Sequence, residues 1–122
     1  MNAIFKPLSV SIYSIDGRKK LTIDVEWALN DVAKCLGMGG RTDVDYGMLF
    51  KGSEGFWMQG CLIDLDIAFI NNGIIQEVVF MSNQDQNVNY SPNTDCEWAL
   101  ELPAGLCSQY GITVGDRIKV RQ

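Results

Sequence analysis
Asp64 and Asp66 are the residues in this chain best placed to do chemistry together. They stand two apart in a stretch that reads as a β-strand, residues 62–70, so both side chains leave the same face. Their Cα atoms would lie roughly 6.5 Å apart, close enough for each carboxylate to shift the other's proton affinity. Such a pair can serve acid–base hydrolysis or hold a hard cation through oxygen. The competing reading is a solvated strand face with no chemistry. Histidine cannot assist, because the 122 residues contain none. That excludes Ser-His-Asp and Cys-His catalysis within one chain, imidazole acid–base work and every His-ligated metal.

Other side chains collect near predicted strand ends. Arg41, in the run Gly39-Gly40-Arg41-Thr42-Asp43, carries a planar fork that suits a carboxylate or an anionic ligand. An ion pair with Asp66 that pins the loop is the favoured reading. Trp57, followed by Met58 and Gln59 and close to glycines, can form an aromatic ligand platform or fill a core with its N–H on a carbonyl. Glu101 falls on the strand face opposite Trp98 and Leu100 and reads as solvated, with a ligand role the minority reading.

The four cysteines, Cys35, Cys61, Cys96 and Cys107, form no C-x-x-C and read as small core residues. No tight knuckle of ligands suits zinc, and nothing beside Cys61 would lower a thiol pKa. No metal or cofactor is indicated; residues 111–116 are a turn without the G-x-x-x-x-G-K of a phosphate loop.

Composition narrows the partners. The apolar fraction is 47% and the net charge −5, an ordinary globular balance on the acidic side. Nucleic-acid affinity comes mainly from Lys and Arg on phosphates, and anionic membranes attract the same residues, so neither partner is expected. The first residues lack the apolar run of a secretory leader, which makes the cytoplasm the expected compartment.

These residues must be positioned by strands. Residues 9–15 and 21–27 alternate around Asp16-Gly17, a two-residue hairpin signal; Leu21, Ile23, Val25 and Trp27 share one face. Asn30 suits the N-cap of a short helix over 31–36, ended by Gly37. Short strands are expected at 47–50 and 56–58. The central strand, 62–70, has Ile63, Leu65, Ile67 and Phe69 facing the core, and returns through Asn71-Asn72-Gly73 into 74–81. Residues 82–95 are polar and form the longest loop. A strand at 96–102 follows, then a helix with Pro103 in its first turn and Gly111 as its cap, and a last strand at 117–120. One mainly β domain over 1–122 is the expectation, with no internal repeat.

Several of these stretches, GMLF (47–50), FWM (56–58), LDIAFI (65–70), LELPAG (100–105) and GITVGD (111–116), resemble in their order the domain-of-unknown-function 192 family. AKCLGMGGR (33–41) is similar to that family's short helix and its Gly-Leu-Met-x-Arg stretch, and Tyr90-Ser91-Pro92 to its later loop. The resemblance covers about 21–120. It implies a compact β-barrel or jelly-roll-like sandwich with one or two short helices, and no established activity. Related proteins often look exported. This chain departs from the family pattern at Gln59-Gly60-Cys61, where Lys-Asn-Thr is usual, and at Asp64, where Pro is usual.

The functional reading is a binding module, with a shallow cleft around Arg41, Trp57, Gln59, Asp64 and Asp66 for a small polar ligand or a protein segment. The alternatives are a hydrolase using Asp64 or Asp66, metal-assisted or not, and an interaction protein forming a homodimer through an edge strand or the apolar hairpin 62–81. With no histidine and no complete catalytic motif, the balance leans away from an enzyme.

Overall fold
The alternating patterns of the two hairpins set the frame. The computed structural model describes residues 1–121. Strands β1 (Phe5–Tyr13) and β2 (Lys19–Ala28) pair antiparallel across the Asp16-Gly17 turn. Strands β4 (Leu65–Asn71) and β5 (Ile74–Met81) do the same across Asn72 and Gly73, both with left-handed φ, 52° and 72°. A two-residue turn with that geometry matches the twist of the strands it joins. Helix α1 (Asp31–Leu36) starts where expected: Asn30 Oδ1 accepts the Ala33 N–H at 2.9 Å, and Asp31 lies in the first turn.

Strands β3 (Gly47–Lys51), β6 (Trp98–Pro103) and β7 (Arg117–Arg121) complete a closed barrel in the order β1-β2-β3-β6-β4-β5-β7. Every neighbouring pair is antiparallel except β2–β3, which is parallel and crosses over through α1. Helix α2 (Leu106–Tyr110) follows β6. Pro103 is the last residue of β6, paired with Leu65, and does not enter the helix. The helix starts later because Asp66 accepts the Gly105 and Cys107 N–H groups at 3.1 and 3.3 Å, which fixes its first turn beyond the left-handed Gly105. Residues 56–58 form no strand; Phe56 makes one bridge, to Tyr90. Left-handed glycines at 52, 55 and 60 turn the chain too often for a ladder.

The barrel has two cores. One fills its interior, with Val10, Ile12, Val25, Leu49, Ile70, Leu100 and Leu102. The other lies between the outer face of β3–β6–β4 and a cover made of α1 and parts of residues 56–63 and 90–96; Met38, Met48, Met58, Ile67, Phe69 and Met81 are fully buried there. The expectation of a single core-facing side for residues 62–70 is therefore corrected. From Leu65 to Ile70 every residue is buried, because both faces of the strand are packed.

The polar residues 82–95 are tied down by their own amides. Gln86 accepts the Gly60 N–H at 2.8 Å and donates to the Cys61 carbonyl at 3.2 Å, while Asn83 donates to the Leu62 carbonyl at 3.0 Å.

Candidate functional site
Where the cover meets the barrel wall it leaves a cavity of about 550 Å³. Its walls are the end of α1 from Lys34 to Met38, the turn from Phe50 to Gly55, Phe56 and Trp57, and Cys61 and Cys96. Gly52 and Gly55, at φ 92° and 74°, give that turn a path that side-chain-bearing residues rarely follow. Phe56 packs edge-on against Phe50, with centroids 5.1 Å apart, and holds the aromatic side of the cavity in place. Trp57 and Gln59 stand at the mouth; Trp57 is 53% exposed.

Glu101 is part of this lining and only 4% exposed. The register of β6 puts it between Met48 on β3 and Ile67 on β4, both fully buried. The expectation that it is solvated fails for the reason that applies to residues 62–70: its strand is covered on both faces. Among the described residues no N–H or O–H donates to its carboxyl, and the ion pairs lie elsewhere, at Lys20–Asp116 and Arg41–Glu26. Burial alone pushes its pKa up to about 8. Burial, and then the charge of Glu101, push the Cys61 thiol up to about 11.

Of the side chains read as candidates from sequence, Trp57 and Gln59 meet at this cavity. Arg41 lies away from it. Its Nη1 donates to Glu26 on β2 and to the Tyr46 hydroxyl at 2.7 Å, and its guanidinium covers the Phe5 ring at 5.0 Å. The Arg41–Asp66 ion pair is thus corrected to Arg41–Glu26. The loop is clamped, but onto β2, because Asp66 is enclosed beneath the start of α2. Asp64 and Asp66 do not act as one unit. Asp64 precedes β4 and accepts the Asn83 N–H at 2.8 Å, while Asp66 serves Gly105 and Cys107. No group of three or more His, Cys, Asp or Glu side chains among the described residues could hold a metal ion.

A family model described as DUF192, an uncharacterized ACR, matches residues 12–120. The chain belongs to the DUF192 family. Two solved structures share its fold. One, from Sinorhizobium meliloti 1021, is described as a candidate transcription regulator; it has a TM-score of 0.88 and 24% identity, with 98% of each chain covered. The other, a Novosphingobium aromaticivorans DSM 12444 protein of unknown function, has a TM-score of 0.81 and 22% identity, covering 98% of this chain and 93% of that one. No curated protein matches the sequence.

In this DUF192 domain the residue that sequence reasoning placed on the wrong side is Glu101, read as solvated and found buried in the cavity lining. A signal for it was present. Its neighbours on the same strand face are Ala99 and Pro103, which is not the company of a solvated side.

Proposed function
We propose that this domain is a small-molecule binding module and that the cavity beneath α1 is its binding site. The observation that carries this reading is the Glu101 carboxyl: buried, facing a cavity, and without a hydrogen-bond donor among the described residues. No side-chain oxygen among the described residues is sealed away without a partner, so the Glu101 carboxyl opens on the cavity and can take a partner from what enters it. The volume falls within the range of small-molecule sites, roughly 300–1,000 Å³. The apolar wall of Phe50, Phe56 and Met38 would take the body of a ligand, and Trp57 and Gln59 would close over it.

The test is an amide-resolved NMR titration of the whole chain with a panel of small cationic, neutral and anionic aromatic compounds. Saturable shifts grouped at Met38, Ser53, Phe56 and Cys61 are expected from at least one class. A panel that leaves those signals in place refutes the reading.

A regulator of transcription, as the Sinorhizobium relative is described, would need contact with nucleic acid or with the proteins on it. The net charge of −5 weighs against the first. An electrophoretic shift on mixed duplex DNA at low salt would reverse that judgement.

A further inference from the structure
We infer that the ligand of this cavity is an organic ammonium ion on an aromatic or apolar body, with Glu101 as its counter-ion. The assignment rests on the cavity being a ligand site and names what enters it. Three features of the geometry carry it. First, the carboxyl of Glu101 has no cationic partner among the described residues, so the charge it can carry is unanswered. Second, the wall is built from Phe50, Phe56 and Trp57. Aromatic faces attract a cation and offer nothing to an anion. Third, the mouth adds no net charge. Lys34 on α1 and Lys51 at the end of β3 face Glu54 in the following turn and Asp95 before β6, all four exposed. Exposed charges of both signs are screened, which leaves the floor carboxylate to set the preference.

The remaining titratable groups at the cavity are thiols, Cys35, Cys61 and Cys96. Burial raises the last two, so neither supplies charge near neutrality. Buried alone, Glu101 keeps its proton up to about pH 8. An ammonium arriving beside it favours the carboxylate, and the carboxyl proton leaves to solvent. Binding of a cation is thus coupled to proton release, while binding of a neutral compound of the same shape is not.

The experiment is a titration of the full chain with 2-phenylethylamine, 2-phenylethanol and phenylacetate at pH 6, 7 and 8, read by Trp fluorescence and by the NMR signals of the cavity. The amine, which stays protonated below about pH 9, is expected to bind roughly 50-fold tighter at pH 8 than at pH 6, following ionisation of Glu101. The alcohol and the acid should bind at least tenfold more weakly at pH 8. Glu101→Gln should remove both the preference and the pH dependence. Trp57→Ala should weaken binding without changing its dependence on pH. If the alcohol or the acid perturbs the cavity signals as well as the amine does, or if amine affinity is flat with pH, the ammonium assignment is overturned while the cavity remains a binding site. If none of the three perturbs those signals, both readings fall.

Discussion
Replacing Glu101 by Gln should make this protein more stable, by an amount set by pH. Glutamine keeps the shape of the carboxyl and removes its charge. In the unfolded chain Glu101 titrates near its ordinary value of 4.5; in the fold, burial holds the proton to about 8. Below about pH 4.5 the group is neutral in both states and its contribution is at its most favourable. Between 4.5 and 8 the unfolded chain has lost the proton and the folded chain keeps it. The folded state then binds more protons, so stability falls as pH rises, by about 1.4 kcal/mol per unit. Above 8 both states are charged and the whole penalty is present, on the order of 5 kcal/mol for a difference of 3.5 units.

Urea unfolding of the wild type and of Glu101→Gln, followed from pH 5 to 9, isolates this term, because every other carboxylate titrates alike in the two proteins. The variant should gain little at pH 5 and roughly 3 kcal/mol at pH 7, near 10 °C in melting temperature for a domain of this size. The gain should level off above pH 8. A difference between the two proteins that does not change with pH would refute the reasoning, whatever its size. Confirmation would also separate stability from binding: the variant expected to lose the ammonium ligand is the one expected to fold best.

Other changes test other parts of the structure. Asp66→Ala removes the acceptor for the Gly105 and Cys107 N–H groups and should destabilise by roughly 2 kcal/mol in urea, with Asp66→Asn recovering part of it; equal stability of wild type and Asp66→Ala would reject the capping role. Gly47→Ala would put a Cβ 2.9 Å from the Glu101 carbonyl oxygen and 3.0 Å from the Val25 and Leu102 side chains, and should cost about 1–3 kcal/mol in thermal melts. An unchanged melt would mean that β2, β3 and β6 pack less closely than described. With maleimide at pH 7, Cys35, the exposed thiol, should be labelled first. Burial pushes Cys61 and Cys107 up to about 11 and 12, so mass spectrometry should find them unmodified until the chain unfolds; labelling at the rate of Cys35 would contradict that.

Local chemistry was legible from the sequence. Asp16-Gly17 and Asn72-Gly73 gave both hairpins, and Asn30 and Gly37 gave both ends of α1, because turn and cap residues act over three or four positions. The family resemblance pointed to a β-barrel or a jelly-roll-like sandwich, and the structure is a closed barrel. What stayed hidden depended on which element covers which face. The run Leu65–Ile70, apolar but for Asp66, could have indicated burial on both sides, but alternation was read into it as though one side were wet. Glu101 was misplaced by the same assumption. Arg41 was given the wrong carboxylate because its partner, Glu26, lies fifteen residues earlier on a strand beyond the crossover. No local pattern joins those two residues. The pairing follows from β2 and β3 running parallel.

The barrel is not equally strong around its circumference. Strands β5 and β7 share a single residue pair, Ile74 with Arg117, and a few hydrogen bonds just beyond it, while most of β7 is exposed. Strand β1 meets β2 across one tight turn, but meets β7 only after about a hundred residues of intervening chain. Distant ends are slow to find one another, and the β5–β7 side that must close last is held by little. A cylinder made this way has a zip. Under heat, tension or denaturant it should unroll from that line, with β7 parting from β5 while β3, β6 and β4, packed on both faces, keep their shape. The cavity lined by Glu101 is built on the wall farthest from the zip, so the molecule can breathe without disturbing it.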